Sequence, residues 1–171
     1  MIKSDEKVNE LSELLKKDNK AAITGAIETL RLEVPFQGAI AQLTSLYNRT
    51  DDNEIKKSVA DFMNDLKDQA ACEEVINEIR KEWKADTISM LVSSCWQSGL
   101  NYSEYSLDLA RVFLTGDYIT AIECLTVIED TVEDLSQEKR AEVIKLIKEN
   151  PLPRVNEKST LLVELISILE R

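Results

Sequence analysis

At 171 residues the chain is long enough to bury one sizeable core and short for two independent ones. Four Gly and three Pro leave little material for the many tight turns of an all-β fold, while 43% apolar and 31% charged residues describe a folded, water-facing chain. A net charge of −11 argues against a phosphate-binding surface, because nucleic-acid affinity rests largely on Lys and Arg.

The apolar spacing predicts ten helices. Residues 3–17 carry Val8, Leu11, Leu14 and Leu15 at helical intervals and are closed by Lys16-Lys17-Asp18-Asn19. A second helix over 20–32 turns Ile23, Ala26, Ile27 and Leu30 to one side, with Ala22 and Gly25 small enough for close approach. Pro35 suits the first turn of a third helix, where its missing N–H costs nothing. The fourth follows the capping cluster Thr50-Asp51-Asp52-Asn53, with Glu54 able to reach back. A fifth over 70–83 ends on Trp83, and a sixth takes Asp86 as its cap.

Beyond a polar turn at 98–103, a seventh helix runs to Gly116, and an eighth, capped by Asp117, carries Tyr118, Ile119, Ile122, Leu125, Val127 and Ile128. The ninth begins after Ser136. Pro151-Leu152-Pro153 forbids helix and makes an extended connection, and the tenth starts near 157. From Leu161 to Leu169 only Glu164 and Ser167 interrupt the apolar residues, so this last helix wants cover on more than one side.

Alternate helices share one pattern, an apolar residue followed four and seven positions later by others. It recurs at Ile23, Ile55, Ile88, Tyr118 and Leu162, in steps of 32, 33, 30 and 44 residues. With Asp86-Thr87-Ile88 and Asp117-Tyr118-Ile119 opening two of these helices, the chain resembles HEAT or armadillo-type α-solenoids. The runs Trp96-Gln97-Ser98-Gly99-Leu100 and Gly116-Asp117-Tyr118 to Glu129 are similar to those of bacterial HEAT-like proteins. The resemblance implies an all-α fold, a right-handed α-α superhelix of about ten helices in four to five hairpins, forming one domain over 1–171.

Such stacks are generally used to bind other proteins, and that use is the implied function here. The residues give it one local basis. Between Lys84 and Lys139 stand ten acids against the single cation Arg111, so that segment carries −9 of the −11. Within it, Trp96, Tyr102 and Tyr105 lie near Glu104, Asp108 and Asp117, and aromatic faces with carboxylates attract Arg or Lys side chains. We therefore expect a non-catalytic interaction module for a basic peptide or protein segment. The structural alternative is a homodimer through Leu161, Leu162, Leu165, Ile168 and Leu169 of the tenth helix.

Catalysis has little support. The chain has no His and neither a P-loop nor a GxGxxG; a HEAT-like DNA glycosylase would need basic surroundings that are missing. No cofactor, metal, nucleic acid or membrane is expected. Glu129, Asp130, Glu133 and Asp134 read as a solvated helix end rather than a cation site. The odd, dispersed Cys72, Cys95 and Cys124 read as reduced core thiols, and with no signal-like leader the expected compartment is the cytoplasm.

Overall fold

The computed structural model describes residues 2–17, 19–33, 35–152 and 156–171; Asp18 and Pro153, invoked above as helix-ending residues, lie outside the described residues. Among these the chain is all helical, with ten α-helices and no strand. They are α1 (Ile2–Leu15), α2 (Lys20–Arg31), α3 (Ala39–Arg49), α4 (Asn53–Asn64), α5 (Ala71–Ile79), α6 (Ala85–Gln97), α7 (Ser106–Thr115), α8 (Tyr118–Thr131), α9 (Gln137–Glu149) and α10 (Ser159–Leu169). Short 3-10 turns at Ser103–Tyr105 and Val132–Asp134 precede α7 and follow α8.

Four helix starts are set by side chains in the way their sequences suggest. Asn19 accepts from the Ala22 N–H, Asp52 from Glu54 and Ile55, Asp117 from Thr120 and Ser136 from Lys139. Other boundaries differ from expectation. Pro35 does not begin α3: Gly38 adopts a φ of 95°, a left-handed turn open to glycine, and the helix starts only at Ala39. Helix α5 stops at Ile79, leaving Trp83 outside it. Asp86 is a first-turn residue of α6, whose cap position is Lys84, and it pairs instead with Lys56 at 2.6 Å.

The helices gather into two compact units, Met1–Leu100 and Asn101–Arg171. In the first, consecutive helices pair as α1/α2, α3/α4 and α5/α6, and the pairs stack so that α1, α3 and α5 form one layer and α2, α4 and α6 the other. Ile27, Leu43, Val59, Met63, Val75, Ile76 and Leu91 fill the space between, each completely buried. Burial of side chains of this size contributes about 1.5–3 kcal/mol apiece. The second unit repeats the scheme with α7 and α9 in one layer and α8 and α10 in the other, around Tyr102, Leu109, Phe113, Ile128, Leu165 and Ile168.

Polar contacts one period apart tie successive hairpins of the first unit. Arg31 Nε donates to Asp65 at 3.0 Å, Asn64 to Gln97 at 2.9 Å and Arg49 to the Leu15 carbonyl at 3.0 Å; Lys20 pairs with Asp52 at 3.1 Å. All three cysteines are free and buried, as their apolar settings implied. No helix of the described residues is long and apolar enough to cross a membrane.

Helix α10 is covered within its own unit. Leu161, Leu165, Ile168 and Leu169, expected to meet a second copy of the chain, are buried where α10 packs on α8 and α9, and Leu162 is half-buried. Among the described residues of this unit, the large apolar side chains left in solvent are Val163 of α10 and Tyr118, Ile119 and Ile122 of α8, the last three on the face turned away from the core.

Candidate functional site

The residues singled out in the sequence are divided between the two units. Trp96, 40% exposed, belongs to the first unit, whereas Tyr102, Glu104, Tyr105, Asp108 and Asp117 belong to the second. Tyr102 is completely buried, its ring 6.4 Å from that of half-buried Tyr105, so it packs the start of α7 and offers no face to a partner. The carboxylates are engaged inside the chain: Glu104 pairs with Lys139, Asp108 faces Arg111 at 3.7 Å, and Asp117 accepts the Thr120 N–H at 2.8 Å. Tyr102, Glu104, Tyr105 and Asp108 do cluster, but Asp117 lies past the other end of α7, roughly 15 Å away at 1.5 Å per helical residue. The tight spot at that end is Gly116, where an added Cβ would come within 2.9 Å of the Val112 carbonyl.

A concave surface lies in the first unit. A cleft of about 360 Å³ opens between the 35–40 segment and the start of α5, lined by Pro35, Phe36, Gln37, Ile40, Asp68, Ala70, Ala71, Glu73, Glu74 and Asn77. Three carboxylates and no Lys or Arg stand among these residues. A second cleft of about 260 Å³ shares Pro35 and Asp68 with the first, and Leu30, Leu32, Phe62 and Leu66 line it together with Arg31, Glu33, Asp65 and Lys67. Leu32 is 89% exposed at its lip.

Glu74 is the central group of the polar cleft. The N–H of Gly38, turned inward by its positive φ, donates to both carboxylate oxygens, at 3.2 and 3.3 Å. Burial pushes the Glu74 carboxyl above its ordinary pKa; the Gly38 hydrogen bond opposes this and the neighbouring Glu78 adds to it. Glu78, one turn further along α5, is itself 4% exposed, with one oxygen held by Lys81 at 2.5 Å and the other, Oε2, buried without a hydrogen bond. The cleft's aromatic residue is already in cationic company, since Lys7 of α1 places its ammonium 5.7 Å from the centre of the Phe36 ring. The arrangement suits a cationic side chain and provides neither a nucleophile paired with a base nor a cation-binding cage. Among the described residues no group of three or more Cys, Asp or Glu side chains is placed to share a metal ion.

Composition and spacing passed over this cleft because Glu73 and Glu74 look like an ordinary charged face of α5. The signal that could have found it is Gly38, a glycine just after Pro35-Phe36 with no need of a tight turn if a helix began at Pro35.

Lys158 was also missed. It is 5% exposed, and its ammonium donates to the carbonyls of Phe113, Leu114 and Gly116 at 2.9, 2.8 and 2.8 Å. Three donors meet three acceptors at the C-terminal end of α7, where helix carbonyls otherwise lack partners. Desolvation lowers its pKa, with Glu157 and Asp117 pulling the other way. With every N–H committed, this lysine holds the start of α10 to the end of α7 and is not placed to act on a ligand.

Comparison of the chain with protein-family models, with curated proteins and with solved structures gave no match.

Proposed function

We propose that the protein is a non-catalytic, HEAT-like interaction module of the bacterial cytoplasm that binds a basic segment of another protein. The reading rests on the stacked hairpins together with the polar cleft around Glu74. A half-buried carboxylate and two more acids line one depression, with Lys7 already seated over its Phe36 ring, and the guanidinium of a basic segment answers the carboxylates. The proposed binding surface is the cleft of the first unit and not the Tyr102–Tyr105 turn.

The test is titration of the full chain with a blocked Arg- and Ala-containing peptide, followed by NMR. Shifts should centre on Phe36, Glu74 and Asn77, and Glu74→Gln should weaken binding about tenfold, the worth of a charge-assisted hydrogen bond. Binding requires ionised Glu74, whose pKa is raised, so affinity should already decline in mildly acid solution and continue to fall as pH drops through that value. The charged groups around it are Glu73 and Glu78 on α5, with Lys81 on Glu78, Asp68 before α5 and Lys7 of α1 over Phe36. A correctly folded Glu74→Gln protein that binds the peptide as well as the parent discards the cleft as the site.

A further inference from the structure

The polar cleft does not stand alone, and its neighbour bears on what kind of basic segment fits. Resting on the reading of the Glu74 cleft as a cation seat, we infer that the two clefts meeting at Pro35 and Asp68 form one bipartite groove. It takes an extended segment that sets an arginine against Glu74 and an apolar side chain against Leu30 and Leu66.

Shared walls carry the first step. Pro35 and Asp68 line both depressions, so one chain crossing Pro35 lies over both. Their chemistries differ in the way a bipartite ligand needs. The first has acids on its walls, and the second has the 89% exposed Leu32 and the edges of the buried Leu30 and Leu66 beside charged groups of both signs, Arg31, Glu33, Asp65 and Lys67.

The cation is arginine for a geometric reason. Glu74 offers two oxygens in one plane, held by a single shared N–H from Gly38, which leaves most of their acceptor capacity to a ligand. A guanidinium fork matches such a carboxylate with two parallel N–H bonds, and a lysine ammonium does not.

The occupant is a separate basic polypeptide and not a second copy of this chain. A chain of net charge −11 would bring acids to an acidic cleft. Of the two cations lining the second cleft, Arg31 is taken up by Asp65 and Glu28, and Lys67 does not line the Glu74 cleft. A segment in the groove covers exposed Leu32, and closing apolar surface there adds affinity without any further charge.

Four blocked peptides of Ala background, titrated against the full-length chain by calorimetry and NMR, test this. One carries Arg and Leu, with spacings of one to three residues tried in turn; one has Arg alone, one has Leu alone, and one has Lys with Leu. The expected result is that the best Arg-and-Leu peptide binds about ten- to a hundredfold more tightly than Arg alone, as burial of one leucine allows, and shifts resonances of both Glu74 and Leu66. The Lys-and-Leu peptide should bind more weakly, and Leu66→Ala should reduce the Arg-and-Leu peptide to the level of Arg alone. If Arg alone binds as tightly as Arg with Leu, the bipartite groove is wrong although the cation seat stands. If no Arg peptide shifts the Glu74 region, both readings fall together.

Discussion

Both units join their helices through charged groups, but the depth of those groups differs. In Met1–Leu100 the hairpins are linked by cations and carboxylates at the surface, as in Lys56 with Asp86 or Lys20 with Asp52 and Glu54. In Asn101–Arg171, besides the surface pair of Lys139 with Glu104, the ammonium of Lys158 is buried against three carbonyls and ties α10 to α7. The contrast teaches how differently a charge counts by depth. Water screens the surface pairs and keeps each worth little, whereas the buried lysine has no alternative partner and its loss leaves three acceptors dry.

Substitutions should separate the two modes. The largest effect is expected of Lys158→Met, which keeps the length of the side chain and removes all three donors. About 2–4 kcal/mol of stability should be lost, read as a lower urea midpoint and as faster hydrogen exchange of α10 amides. An unchanged midpoint would mean that the three carbonyls find water easily and that Lys158 is ornamental.

A smaller loss, about 1 kcal/mol, is expected of Asp117→Ala, which strips the cap from α8. The backbone and side-chain hydrogen bonds of Thr120 hold this carboxyl below its usual pKa of 3.8. Its contribution is therefore complete above that value and is lost as pH falls through the lowered one, so the gap between parent and variant should close in acid. The smallest effect belongs to the first unit. Lys56→Ala should cost about 0.2–1 kcal/mol, and added salt should shrink the difference, whereas salt should leave the Lys158→Met difference nearly intact.

Legibility followed the same division. Caps that act on their own helix could be read directly: Asn53 follows Asp52, and Asp117 and Ser136 each stand one residue before a helix whose N–H groups they accept. Apolar periodicity likewise marked Ile27, Val59 and Ile128 as core. Groups that act across the fold were misread. Asp86 looks like a cap in sequence, but Lys56, 30 residues back, is its partner. Tyr102 looks like a surface aromatic in a polar turn and is wholly buried, while Ile119 fits an apolar pattern and is 63% exposed. Glu74 and Lys158 resemble dozens of solvated charges until Gly38, 36 residues away, or Phe113, 45 residues away, is brought beside them.

Sequence by itself determined the class and spacing of the elements: an all-helical chain of ten helices among the described residues, with a period near 33, because helix formation and capping depend on residues within about one turn. Only the tertiary structure decided which charges are buried, which apolar faces remain open, and where a cleft forms. Burial and electrostatic environment are set by side chains a full repeat or more away along the chain, and a local pattern carries no information about which of them will arrive.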